Sequence, residues 1–288
     1  MRVLEFSVPP ELDGILVKTF LRRHCQVSAR LLAKLKHIPL GISRGGQQIR
    51  AIDRLHVGDV VSLTLPEDKI CLKSSGEELC LIYEDEDVLV IDKKSGMPVH
   101  PSPGHDCDTV LNAFATYCEM KGTPMSFRPA YRLDKDTTGV LVIAKNGYTA
   151  ARLSQAIQKE YFAVCDGYLE GEGEIRFPIR HREGFGIQRE CGEGGVSAIT
   201  HWKVLGHGDE CTMLSLWLET GRTHQIRVHL AGIGHPLLGD DMYGGRTDRI
   251  QRQALHCGKV SFSCPAAGKK LYLESPLPED MKKIWLDV

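Results

Sequence analysis

The chain has little of what would assign it to a membrane, a secretory route or a cross-linked scaffold. No apolar run among its 288 residues reaches the ~18 that a spanning helix needs, so no membrane partner is expected. The stretch from Met1 to Leu12 carries acids and prolines in place of a basic, then apolar, signal segment, and the expected location is the cytoplasm. Ten cysteines could suggest a disulfide framework, yet Cys25, Cys71, Cys80, Cys107, Cys118, Cys165, Cys191, Cys211, Cys257 and Cys264 are scattered, with no close Cys-x-x-Cys pair. They are expected to be reduced thiols, mostly buried. Internal repeats and low-complexity tracts are missing too, which excludes a repeat array. Net charge is nearly absent, at −1 by formal count, and this fits a nucleic-acid partner poorly until the charge is followed along the chain.

Acids are missing altogether from one segment. Between Gly14 and Ile52 stand eight basic residues (Lys18, Arg22, Arg23, Arg30, Lys34, Lys36, Arg44, Arg50) and no Asp or Glu, so the remainder carries −9 against the segment's +8. Leu16, Val17, Phe20, Leu21, Leu31, Leu32 and Leu35 interleave with these charges at helical spacing, the pattern of a folded basic module. A helix, a cap and start at Val27-Ser28-Ala29-Arg30, a second helix and a β-rich tail through His56 to Leu63 make up residues 1–66. Residues 67–79, containing Lys73-Ser74-Ser75-Gly76-Glu77-Glu78, have the composition of a linker, and a larger domain occupies 80–288. In it the pattern predicts a strand over Asp87 to Ile91, a helix capped by Asp108, a strand over Val140 to Ile143 and a helix from about Tyr148 to Lys159. Further strands are expected to begin at Tyr161 and to run from Cys211 to Leu218, with a terminal helix after Pro278.

Two segments carry chemistry. In Tyr131-Arg132-Leu133-Asp134-Lys135-Asp136-Thr137-Thr138-Gly139 a carboxylate follows a fixed cation by two positions, and a glycine turn and the buried-type strand Val140 to Ile143 come next. Such loops braced by core strands commonly hold function, although an Arg-x-Asp pair, such as Arg132 with Asp136, can equally be a surface ion pair. The second segment, Glu219-Thr220-Gly221-Arg222-Thr223-His224-Gln225-Ile226-Arg227-Val228-His229, adds a dense cationic, hydrogen-bonding cluster beside a glycine turn.

Together the two resemble the signature motifs of the RluA/RluD-type RNA pseudouridine synthases. The resemblance extends through Glu84 to Lys93 with Gly96 and His100-Pro101-Ser102, then Lys159-Glu160-Tyr161-Phe162-Ala163, His235 to Gly245 and Ala254-Leu255-His256, so that it spans most of residues 80–288. It implies an α+β fold with a mixed, mainly antiparallel sheet, and an isomerase that turns uridine in RNA into pseudouridine. It implies Asp134 as nucleophile or base and Arg227 as its orienting partner, because a guanidinium favours a charged carboxylate and fixes it by paired hydrogen bonds. Tyr161 stands where the family places an aromatic that stacks on the base, and Ile226 would form an apolar wall; read without the resemblance, both are core residues. Arg132 would brace the gap left by a flipped uridine. Arg222 and His224 would bind the substrate, and Asp136 would be structural.

The basic module is similar to the S-four-like RNA-binding domain that several members carry, with Lys18, Arg22, Arg23, Arg30 and Lys34 meeting phosphates. Departures are the loop Ile42-Ser43-Arg44-Gly45-Gly46 in place of Val-Asn-Gly, Lys94 for proline, Tyr131 for His or Asn and Thr138 for Ser. The implied partner is large-subunit ribosomal RNA, with transfer RNA as the alternative; the protein is expected to be a monomer that needs no metal or organic cofactor. Three rival readings stand beside this one: a zinc hydrolase using His224, His229 and His235, a glycosidase acting on free nucleosides, and a non-catalytic RNA-binding or ribosome-assembly protein. The first lacks the one-turn His-x-x-x-His register, the second leaves the basic module unexplained, and the third predicts a broken catalytic set.

Overall fold

A computed structural model describes residues 2–66, 73–264 and 268–286; Cys71 and residues 67–72 of the expected linker lie outside the described residues. The basic segment folds as its periodicity predicts. Helix α1 (Val17–Thr19) runs into a π-helical turn over Phe20–His24, and α2 (Ala29–Leu35) starts at Ser28, whose hydroxyl accepts from the Leu31 amide at 3.1 Å. Val17, Phe20, Leu21, Leu31, Leu32 and Leu35 pack inward on a sheet of β1 (Val3–Ser7), β2 (Ile42–Arg44), β3 (Gln47–Gln48) and β4 (Val60–Thr64), ordered β1-β4-β2-β3. The departing loop is a β2–β3 hairpin turn, in which Gly45 and Gly46 both have positive φ. Lys18, Arg22, Arg23, Arg30 and Lys34 are all exposed.

The larger part is built from β5 (Leu81–Glu84), β6 (Val88–Lys93), α3 (Val110–Lys121), β7 (Arg128–Pro129), β8 (Thr138–Ala144), α4 (Gly147–Ala156), β9 (Gln158–Asp166), β10 (Glu172–Ile175), β11 (Ile179–His181), β12 (Arg189–Cys191), β13 (Thr200–Gly208), β14 (Cys211–Leu218), α5 (Gln225–Gly232), β15 (Leu255–Ser263), β16 (Lys270–Glu274) and α6 (Glu279–Leu286). The main sheet follows β10-β13-β14-β9-β15-β8-β6-β5, with β16 on β15 and β7 on β8. Every described pairing is antiparallel except β15 with β8, so the fold is the mixed, mainly antiparallel α+β class. Strand β8 is buried along its whole length, and Leu141 and Ile143 share one core with Phe114 of α3 and Leu153 of α4. At ~25 cal/mol per Å² of apolar area removed from water, such a strand is a main anchor of the domain. The two parts touch: Tyr148 of α4 closes the N-terminal core, and Arg2 pairs with the buried Asp87 at 3.2 Å.

Local signals misplaced some boundaries. The α3 cap is Thr109, in a reciprocal capping box with Asn112, while Asp108 instead bonds His105 at 2.6 Å. Helix α4 starts at Gly147 behind an Asn146 cap and ends at Ala156, because residues from Gln158 onward pair with β15. Tertiary pairing outcompetes helical propensity there. Of the nine described cysteines, none of them in a disulfide, five are buried and two, Cys80 and Cys107, are exposed.

Candidate active site

The parallel contact of β15 with β8 brings Cys257 beside Gly139, at the N-terminal end of the most buried strand. Gly139 has φ +109°, and a Cβ there would sit 2.3 Å from the Cys257 carbonyl oxygen, so this position admits only glycine. The approach aims the preceding loop, residues 132–137, across the end of the sheet, and several staples hold it. The Lys93 ammonium donates to the Lys135 carbonyl at 2.7 Å and to the Lys94 carbonyl at 2.8 Å. Asp136 accepts from the Gly96 amide at 3.1 Å, and Gln253 donates to Thr137 at 3.3 Å. Asp136 is therefore structural, and its carboxylate is spent on Gly96 rather than on Arg132. Arg132 is exposed and has no hydrogen-bond partner among the described residues.

Against this loop packs α5. The turn before it is held by the Gln225 side chain, which accepts from the Arg222 amide at 3.0 Å and the Thr220 hydroxyl at 2.9 Å, and donates to Thr200 and the Ile199 carbonyl. The expected glycine turn is a correction: Gly221 has ordinary φ, and His224 takes the left-handed conformation at φ 57°. A non-glycine residue in that region costs about 1–3 kcal/mol and persists only when neighbours impose it. Here the His224 Nδ1 lies 2.8 Å from the Tyr243 hydroxyl, which also accepts from the Arg189 amide. Burial holds His224 below the usual histidine pKa. His229 has both ring nitrogens committed, to Thr200 and to the Phe177 carbonyl, and His235 contacts the Asp166 carbonyl; the zinc reading of these residues is not met by their contacts.

The turn sets Arg227 at the centre. Its Nε and Nη2 donate to the two carboxylate oxygens of Asp240 at 2.7 and 2.8 Å, and Nη1 reaches Asp134 at 3.3 Å. The side chains are 7% exposed for Arg227, 0% for Asp240 and 26% for Asp134, so the cluster runs from the core to an open carboxylate. Burial works against the guanidinium charge, but the bonds and charges of Asp240 and Asp134 outweigh it and raise its pKa. Ile226 and Tyr161 both lie in the main core. Burial, with smaller contributions from Cys257 and Asp134, pushes the Tyr161 phenol far up, so it stays protonated. Arg222 is exposed and donates to the Ser197 carbonyl at 3.0 Å. The two signature motifs thus meet at the contact of Arg227 with Asp134, while the basic residues of the N-terminal module are exposed and take no part in it. Asp240 and Lys93 were missed as site residues, although both lie inside quoted motifs; a buried arginine needing a second carboxylate was the available signal for Asp240.

An α+β sheet that presents one open carboxylate, held by a buried arginine beside a tyrosine, defines an enzyme site. Comparison with known proteins makes this definite. The RNA pseudouridylate synthase family matches residues 87–232. "Uncharacterized RNA pseudouridine synthase YlyB" of Bacillus subtilis is 38% identical, covering 83% of this chain and 82% of that protein. "Ribosomal large subunit pseudouridine synthase D" of Pseudomonas aeruginosa is 36% identical, covering 97% of this chain and 93% of the relative. Among solved structures, "Human RNA Pseudouridylate Synthase Domain Containing 1" superposes with a TM-score of 0.57 at 28% identity, over 69% of this chain and 84% of the other. The chain belongs to the RNA pseudouridylate synthase family, isomerases that convert uridine in RNA to pseudouridine.

Asp240→Ala should leave Arg227 buried with its main partner gone and lower unfolding free energy by about 3–5 kcal/mol in urea titration; a loss under about 1 kcal/mol would show that Asp240 is dispensable. Lys93, 2% exposed, is pushed down to about 7 by burial, against the pull of Asp136 and Asp134. Its unfolded form binds a proton that the folded form releases between about pH 7 and pH 10, so folding gains stability as pH rises through that window. Wild type should therefore gain roughly 2 kcal/mol on Lys93→Met between pH 7 and pH 9, read by denaturant titration at each pH.

Proposed function

We propose that Asp134 is the group that starts the isomerisation, on a uridine in large-subunit ribosomal RNA. The observation that carries the assignment is the cluster itself: Arg227 is buried and locked by Asp240, yet spends its remaining edge on the one partly open carboxylate of the site. The reaction breaks the bond from uracil nitrogen to ribose, turns the freed base and joins its carbon 5 to the same sugar carbon. A held carboxylate serves this either as nucleophile at the sugar or as the base that begins a ribose-centred elimination. Arg227 fixes its direction. Tyr161, protonated and 5% exposed, acts as a stacking and hydrogen-bonding wall rather than as a phenolate base. Ile226 supplies apolar packing behind it, and Arg222 and His224 order the rim.

A paired uridine must leave its stack to reach Asp134, at a cost of a few kcal/mol. Arg132, exposed and without a hydrogen-bond partner among the described residues, stands two residues before Asp134 and suits the role of bracing the vacated gap. Residues 1–66 act as an S-four-like RNA-binding domain, joined through 67–79 to the catalytic domain 80–288; the support is the exposed set Lys18, Arg22, Arg23, Arg30 and Lys34 on a folded core. The ribosomal substrate is supported by the printed names of relatives such as the Pseudomonas aeruginosa protein, with transfer RNA as the alternative. The proposed enzyme works as a cytoplasmic monomer, away from membranes; among the described residues no helix is long and apolar enough to cross one. The route asks for no metal or organic cofactor, since positioning and electrostatics come from the side chains named.

Asp134→Asn should abolish turnover and leave RNA affinity within about twofold of wild type; pseudouridine mapping in cells carrying only that variant, beside wild-type and deletion strains, identifies the substrate at the same time. Retained modification in the Asn form would refute the assignment. Replacing Arg22, Arg23 and Arg30 together by Gln should reduce the slope of log affinity against log salt by about 2–3, as expected for three lost phosphate contacts. An unchanged slope would remove the RNA-binding role from that face.

A further inference from the structure

His224 combines three features that holding the turn into α5 does not require. It puts a side chain at φ 57°, where glycine or asparagine would fit with less strain. Its ring is buried, at 9% exposure, and packs edge-on against Tyr243 with centroids 5.7 Å apart. Only one of its nitrogens is committed: Nδ1 lies 2.8 Å from the Tyr243 hydroxyl. Nε2 has no hydrogen-bond partner among the described residues and is not one of their enclosed unpaired atoms, so it opens outward.

The contacts of Tyr243 decide where the imidazole hydrogen sits. Its oxygen accepts from the Arg189 amide at 3.0 Å, and an amide N–H can only donate. The phenol's own proton then has His224 Nδ1 as its one acceptor among the described residues, and a neutral imidazole that accepts at Nδ1 carries its hydrogen on Nε2. Burial holds the ring below the usual histidine pKa and so keeps it neutral; of the charges around it, Asp134 and Asp240 pull upward, Arg227 and Arg189 downward. The Tyr243 ring also lies 5.0 Å from the Arg227 guanidinium carbon, and Arg227 Nη1 reaches Asp134, so His224 belongs to the rim of that carboxylate.

We propose that His224 is a catalytic residue of the isomerisation and Tyr243 its positioning residue: the relay Arg189 N–H to Tyr243 O–H to His224 Nδ1 fixes an imidazole whose Nε2–H donates to a carbonyl oxygen of the uracil as the base is cut free. When the bond from N1 to the sugar breaks, its electron pair leaves with the uracil and spreads onto O2 and O4. On the nucleophilic route Asp134 takes over the sugar carbon; the elimination route sets free the same anion. Carbon 5 then bonds that sugar carbon, Asp134 departs with its own pair, and the hydrogen on carbon 5 leaves as a proton while N1 gains one. A fixed donor at O2 or O4 acts most strongly once that charge has developed, so it favours the transition state over the bound substrate. A neutral imidazole suits this, since it hydrogen-bonds the anion without surrendering its proton. The inference rests on the reading of Asp134 as the group that starts the reaction.

The test is a double-mutant cycle on the full-length protein, with total RNA from the deletion strain as substrate, because that RNA carries the unmodified site whatever its identity. The variants are His224→Asn, His224→Gln, Tyr243→Phe and the two doubles with Tyr243→Phe, each checked for folding by thermal melting. Asn tolerates the left-handed backbone but lacks the Nε2 donor, so His224→Asn should lower kcat about a hundredfold with KM within about twofold. His224→Gln, whose amide N–H needs no tautomer, should recover kcat to within about tenfold of wild type. Tyr243→Phe should cost about fivefold in kcat, and that loss should vanish where residue 224 is Asn or Gln. A Tyr243→Phe loss that persists in those backgrounds, an effect of His224→Asn confined to KM, or no effect at all overturns the proposal. A readout independent of turnover is nitrogen NMR of 15N-histidine-labelled wild type at about pH 8, with His224 assigned by difference against His224→Asn. Nδ1 should be unprotonated and Nε2 protonated; the opposite tautomer means that the relay does not exist. Full turnover in Asp134→Asn would overturn the reading beneath the proposal, whereas full kcat in His224→Asn beside an inactive Asp134→Asn sinks the proposal alone.

Discussion

The buried guanidinium of Arg227 is the interaction on which the rest of the site depends. An arginine cannot shed its charge in a protein, so enclosing it obliges the fold to bring carboxylates to it. Asp240 supplies two parallel bonds from inside, and Asp134 supplies one from the open side. The asymmetry matters for function. Asp240, wholly buried, neutralises and orients the guanidinium; Asp134, partly open, keeps oxygen lone pairs facing outward. Every other arrangement nearby serves to hold these three side chains in register. The left-handed His224 turns the chain into α5, Gln225 and Tyr243 maintain that turn, and Lys93 and Gly96 fasten the opposite loop.

Charge is divided between the two parts of the molecule in a way that suits a polyanionic substrate. The N-terminal part carries exposed cations on a small core, as the proposed attraction to phosphates requires. Chemistry needs the opposite: a few charges, buried, paired and held to within fractions of an ångström. The net charge near zero is the sum of these two designs. Contacts such as Arg2 with Asp87 and Tyr148 with the N-terminal core tie the two parts together.

Much of this was legible in the chain before folding was considered. The apolar run after Gly139 marked a buried strand, the Gly14 to Ile52 segment marked a folded basic module, and Asp134, Tyr161 and Arg227 stood in recognisable motifs. Boundaries were less legible: the α3 cap moved one residue to Thr109, and α4 gave way to β9 earlier than its helical pattern suggested. Partners were the least legible. Asp240 lies 13 residues from Arg227 and Lys93 lies 42 from Lys135, and neither spacing carries a local signal.

What the sequence by itself determined is therefore the set of chemical groups and the strands and helices that carry them, because periodicity, capping and apolar runs act within a few residues. The tertiary structure alone decided which second acid would share Arg227 with Asp134, that Asp136 would bond a backbone amide instead of Arg132, and that Cys257 would stand opposite Tyr161. These outcomes follow from the parallel closure of β15 on β8 at Gly139, where the absence of a side chain lets two backbones approach. Close packing of distant segments is a property of the whole fold, and only there do burial and the need to satisfy each buried charge select one partner from many.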